Sequence, residues 1–189
     1  MALGKKGQMN FAPDAVLDFW FREIEPAQWF KADPAFDALL RTRFGALHSQ
    51  AVRCELFTWR ATPQGRLAEI IVLDQFSRNL FRGDPRAFAA DAQALTLAQE
   101  AVACGADQAL TQQQRIFAYM PYMHSESASI HVVAETLFRA NGLANNLDFE
   151  LRHKAIIDRF GRYPHRNAIL GRESTDEEIE FLKLPGSSF

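Results

Sequence analysis

Residues 33–52 read DPAFDALLRTRFGALHSQAV. Phe36, Leu39, Leu40, Phe44, Leu47 and Ala51 recur every three or four positions, the spacing that lines one face of an α-helix. The run opens on Asp33-Pro34, a capping oxygen beside a ring that fits the first helical turn and lacks the donor that turn cannot use. This predicts a helix from Pro34 to about Val52. The same punctuation returns at Thr62-Pro63 and Asp84-Pro85, predicting helices over 63–81 and 85–104, the second stopped by Gly105. Pro13 opens a further helix with Val16, Leu17, Phe19, Trp20 and Phe21, apolar on nearly every side and so expected to be wedged among others.

Downstream, 112–119 reads as a short helix closed by Pro121, 125–141 as one ending at Gly142, and 146–160 as one ending at Gly161. Ser174 and Thr175 with Glu177 and Glu178 make two overlapping capping boxes before Ile179, Phe181 and Leu182. About eight helices with short connections predict an all-α chain of antiparallel pairs. They are expected to form one domain over 11–189, after a flexible N-terminus at 1–10. Composition agrees, because 28 Ala and 19 Leu outweigh 22 Val, Ile and Thr. With 48% apolar residues the chain is able to build a core without covalent staples.

The 21 basic and 23 acidic residues leave a net charge of −2, so no overall basic field attracts nucleic acid or an anionic membrane. No run of about 18 apolar residues occurs, and no apolar segment follows Lys5 and Lys6 to form an export signal. Cys54 and Cys104 stand in no CxxC spacing, which leaves the cytoplasm as the expected compartment. The motifs of nucleotide loops, zinc proteases, hydrolase nucleophile elbows and calcium loops are absent, and nothing read here implies a cofactor or a metal. Glu150-x-x-His153 is one copy of a di-iron half-motif that needs two copies and two further Glu, so it is read as chance. His48 and His131 are read as packing or surface residues.

Three segments hold the chemistry. On the 63–81 helix, steps of 100° bring Asp74, Gln75, Arg78, Asn79 and Arg82 into the sector that Leu67, Ala68 and Ile71 occupy earlier. One face thus turns from apolar to polar halfway, with Asp74 and Arg78 paired at i,i+4, as at the mouth of a cleft. Next, Tyr119 to Glu126 reads YMPYMHSE and places His124, Ser125 and Glu126 at a helix start, where they either cap it or act on a ligand held by the dipole. The third runs from Arg152 to Arg172 and contains Arg152, Lys154, Arg159, Arg162, Arg166 and Arg172, two imidazoles, His153 and His165, and one acid, Asp158. A stretch near +5 in a chain of −2 must be balanced by internal pairs or by an anion, and arginine forks bind carboxylate and phosphate alike. Pro164 and Asn167 bend it so that Arg162, His165 and Arg166 turn inward.

The stretches GRLAEIIVLDQFSRNLFRG (65–83), YMPYMHSE (119–126) and RFGRYPHRNAILGRES (159–174) resemble, in order and spacing, a bacterial family of unknown function described as tetratricopeptide-like. Phe19-Trp20-Phe21, Trp29-Phe30 and the tail LPGSSF (184–189) add to the resemblance, which covers about 13–189. It implies an α/α superhelix and supplies no substrate. Cys54 stands where such members are expected to have Gly, which questions a tight turn there, and SASIH follows Glu126 in place of a more acidic run.

Two functions follow as expectations. One is a cleft for a small anionic or phosphorylated molecule, held by Arg78, Asn79, Arg82, Tyr119, Ser125, Arg159, Arg162, Arg166 and Asn167. In it Asp74, His124, Glu126 and His165 orient the ligand or transfer protons, in hydrolysis or phosphoryl chemistry if there is turnover. The other is an interaction module whose groove recognises an acidic or carboxylate-ended peptide. The tail Ser187–Phe189, with its terminal carboxylate, is a candidate to dock in the same cationic region.

Overall fold

The computed structural model describes residues 11–188, so the expectation for 1–10 lies outside the described residues. Every regular element within them is helical. α1 (Pro13–Asp18) runs into a π-helical turn (Phe19–Glu23), and α2 spans Pro34–Val52, capped by Asp33, whose Oδ1 accepts from the Ala35 and Phe36 amides. α3 (Pro63–Ile71), a π turn (Val72–Phe76) and α4 (Ser77–Leu80) form one helical run through the centre. α5 (Asp91–Ala103), α6 (Gln112–Met123), α7 (Ala128–Asn141) and α8 (Ala144–Phe160) follow, then short α9 (Asn167–Leu170) and α10 (Asp176–Leu182). α6 packs on α7 and α7 on α8. The links are only a few residues long, so consecutive helices must reverse direction.

Aromatic side chains from distant helices meet in the core. Phe19 lies 5.0 Å from Phe44, and Trp20 lies 5.6 Å from both Phe76 and Phe117, ring centre to ring centre. The central run is buried from Leu67 to Ser77, so it is a helix without a solvent face along most of its length. A smaller apolar cluster of Ile156, Ile157 and Tyr163, with Phe160 and Phe181 against it, anchors the C-terminal segment.

Three helix boundaries differ from the expected ones. After Asp84-Pro85 there is only a single 3-10 turn (Pro85–Ala87), and α5 begins at Asp91. The Asp84 carboxylate is bound by the Arg86 amide and guanidinium, and Arg78, from another element, donates to the Ala87 carbonyl that a continuous helix would use. Pro121 lies inside α6 instead of ending it, in a C-terminal half that is buried from Ile116 to Met123. Its missing donor costs one hydrogen bond, which this burial offsets. The third shift moves the expected start at Ser125 to Ala128. Cys54 holds its turn in the left-handed region at φ 59, where glycine is favoured, so the tight turn forms with cysteine in it. Thr175 and Glu178 form the capping box read for the last helix. Ser187 donates to the Leu182 carbonyl at the end of that helix, and Phe189 lies outside the described residues.

Candidate functional site

The π turn inserts an extra residue into the central run, and π turns recur at functional sites. Asp74 and Gln75 sit in it, both buried, and Arg78, Asn79 and Arg82 follow toward its end. Gln75, Arg78, Asn79 and Arg82 line a cavity of about 280 Å³ together with His124 from the end of α6, and His165 and Arg166 from the turn before α9. The strip Trp29-Phe30-Lys31 closes another side of it, with Lys31 exposed at the mouth. Four cations, Lys31, Arg78, Arg82 and Arg166, and three imidazoles, His124, His153 and His165, belong to the wall, and among the described residues no carboxylate does.

Carboxylates lie behind the wall. His124 Nδ1 is 2.7 Å from Asp74 Oδ1, and Gln75 Nε2 donates to Asp74 Oδ2 at 2.6 Å. Burial alone would raise the Asp74 carboxyl, but His124, Arg78 and these hydrogen bonds overcome it and hold it below the usual carboxylate range. The His124 imidazole is lowered, first by burial and then by Arg78, against the pull of Asp74. A neutral ring donating from Nδ1 to an ionised carboxylate leaves Nε2 as an acceptor, on a ring that lines the cavity. This position is not a helix start. His124 follows the last residue of α6, and α7 begins at Ala128, so the expectation that the dipole's positive end faces it fails.

The arginines divide by how fully they are bound. Arg78 forms the expected i,i+4 pair with the Asp74 carboxylate at 3.6 Å, donates to the Asp74 carbonyl at 3.1 Å, and makes its two shortest hydrogen bonds to Asp91, at 2.8 and 3.0 Å. Burial would lower its pKa, yet Asp74 and Asp91 together hold it above the ordinary arginine value. Arg82 grips both oxygens of Asp37, to which Asn79 also donates. Arg166 is different. It is 6% exposed and lies between the Phe88 and Tyr163 rings, 4.7 and 4.5 Å from their centres. It donates to the His124 carbonyl at 3.0 Å and meets Asp91 only at 3.4 Å, and its Nε is buried with no partner. Burial and the neighbouring Arg78 push its pKa below the ordinary arginine value. His165, beside it, is pushed down to about 4 by burial and then by Arg166, and His153 to about 3, chiefly by burial.

Other residues singled out from sequence lie elsewhere. Tyr119 is buried and donates to Asp107 at 2.6 Å. Arg159 pairs with Glu177 on the surface, and Arg162 grips both oxygens of Glu178, to which Asn167 also donates. Ser125 and Glu126 line a second cavity of about 390 Å³ that shares Phe88, His124 and Arg166 with the first. Glu126 is bound by both terminal nitrogens of Arg172 and by the Tyr163 amide, which turns it away from any capping role. Glu150 pairs with buried His131, His48 lies 2.8 Å from Ser77, and no group of three or more metal-ligating side chains gathers among the described residues. Asp91, Phe88 and Tyr163 were not singled out. Asp91 is hidden in an alanine-rich run with no local signal, whereas Tyr163 stands inside the Arg- and His-rich segment and was within reach.

No helix among the described residues is long and apolar enough to cross a membrane. The chain is similar to a solved protein of unknown function, ATU0120 from Agrobacterium tumefaciens, at 39% identity and a TM-score of 0.86, covering 90% of this chain and 96% of that one. No curated protein matches it. A family described as "Bacterial protein of unknown function (DUF924)" matches residues 16–186, and the chain belongs to that family.

Proposed function

We propose that the cavity binds a small anion, a carboxylate or a phosphate monoester, with Arg166 as its main partner, Lys31 at the mouth and His124 Nε2 beside it as a proton acceptor. The observation that carries this reading is Arg166 itself, a buried guanidinium with an orphan Nε and a loose carboxylate contact. A buried donor left unsatisfied costs about 1–3 kcal/mol, which an arriving anion recovers. Arg78 and Arg82, already bound to carboxylates, contribute field rather than direct contacts, and His165 lies within reach as a second imidazole. A neutral imidazole oriented by a buried carboxylate is the arrangement of a general base, which supports proton transfer on the bound anion. A volume near 280 Å³ suits a small molecule better than an extended peptide, which favours this reading over the peptide-binding module.

Isothermal titration of the full chain with acetate and with inorganic phosphate tests it, beside Arg166→Met and His124→Gln. The expected result is binding by the wild type, a loss of about tenfold or more in Arg166→Met with its helical spectrum intact, and little change in His124→Gln. Equal affinity in wild type and Arg166→Met overturns the proposal.

A further inference from the structure

We infer that the ligand is an amphipathic anion, a carboxylate or phosphate monoester whose aliphatic chain leaves the first cavity past His124 and Arg166 and lies in the second. This rests on the anion-binding reading and adds what the rest of the ligand is. The second cavity, about 390 Å³, is walled by Pro85, Ala89, Ala92, Leu95, Pro121 and Leu170, an apolar surface beside a cationic one. Its two carboxylates have no charge to spare, since Asp91 is held by Arg78 and Glu126 by Arg172. The chamber therefore favours neither a cation nor a second anion, and what it offers a ligand is apolar contact.

The two cavities share a wall of Phe88, His124 and Arg166. Arg166 has an unpartnered Nε and meets Asp91 only at 3.4 Å, so turning its guanidinium toward an anionic head exchanges the hydrogen bond to the His124 carbonyl for contacts to that head. His124 borders both cavities, which places its ring at the junction of head and chain. The side chains of Ala89 and Ala92 are exposed and small, and they leave the second chamber open. Larger residues there would fill it, and neither alanine lines the first cavity.

The test is a calorimetric series on the full chain: acetate, butanoate, hexanoate and octanoate, and methyl, butyl and hexyl phosphate, with wild type and Ala92→Phe. Ala89→Phe serves as an independent plug should the first variant fold poorly. In the wild type, affinity is expected to rise on the order of threefold per buried methylene until the chamber is full. In the plugged variant the series is expected to be flat, with acetate and methyl phosphate binding as in wild type. The series with the tighter short member identifies the head group. A chain-length gain that survives the plug, or no gain in wild type while acetate or methyl phosphate binds, overturns the amphipathic ligand and leaves the anion site standing. If no member of either series binds the wild type, both readings fall.

Discussion

Arg162 and Arg166 stand four residues apart in one cation-rich segment and have opposite surroundings. Arg162 donates to both oxygens of Glu178 and to the Glu173 carbonyl, so its fork is filled by the C-terminal helix. Arg166 is more deeply buried, stacks between two rings, and has a nitrogen with nothing to donate to. A saturated guanidinium holds a fold together, whereas one buried with a donor left unmatched adds less stability where it sits, and such groups recur at sites that bind. The same contrast separates Arg172, filled by Glu126, from Arg166.

The largest effect should fall on the saturated partner. Arg162→Met leaves the Glu178 carboxylate, now held well below its ordinary range at about 2 chiefly by Arg162, with only the Thr175 amide and Asn167 as donors, and should lower the urea unfolding midpoint more than any other variant named below. Acetate or phosphate affinity should not change. A loss of affinity without a loss of stability would reverse the assignment of the two arginines.

Acid should act through the cavity imidazoles. The folded His165 pKa, about 4, lies below the 6.5 of a free imidazole, so protons prefer the unfolded chain. Its contribution is full above about pH 6.5 and is lost as pH falls through about 4. Between about pH 7.5 and 5 this amounts to about 2 kcal/mol, and His165→Asn should flatten the stability–pH profile by that much. An unchanged profile in the variant would place the acid sensitivity elsewhere. Arg166→Met should alter stability by only about 1 kcal/mol in either direction, because it replaces an under-compensated buried charge with an apolar chain of similar length. A loss near that of Arg162→Met would make Arg166 a structural residue. Smallest of all, Arg159→Ala breaks only an exposed pair with Glu177 and should change stability by less than about 0.5 kcal/mol.

Local rules read the fold well where the deciding atoms are neighbours in sequence. Asp33 caps α2 and Thr175 with Glu178 caps α10 as the residues suggest. They misplace a boundary where a distant group intervenes, as when Arg78 takes the Ala87 carbonyl and the helix expected from Pro85 starts six residues late. The candidate site divides in the same way. The polar turn of the central helix and the charge excess of 152–172 are visible in the sequence, and both segments meet at the cavity. Which arginine is filled is not visible, because Glu178, Asp91 and Asp37 come from other elements and only the tertiary structure brings them to Arg162, Arg78 and Arg82.

Crystals soaked in selenate provide the most direct test, since selenium scatters anomalously and the anion mimics both phosphate and a carboxylate head. A selenium peak within hydrogen-bond reach of Arg166, in the cavity bounded by His124 and Tyr163, is the predicted result. Selenate found only on surface cations such as Arg152, with that cavity empty, would contradict the account.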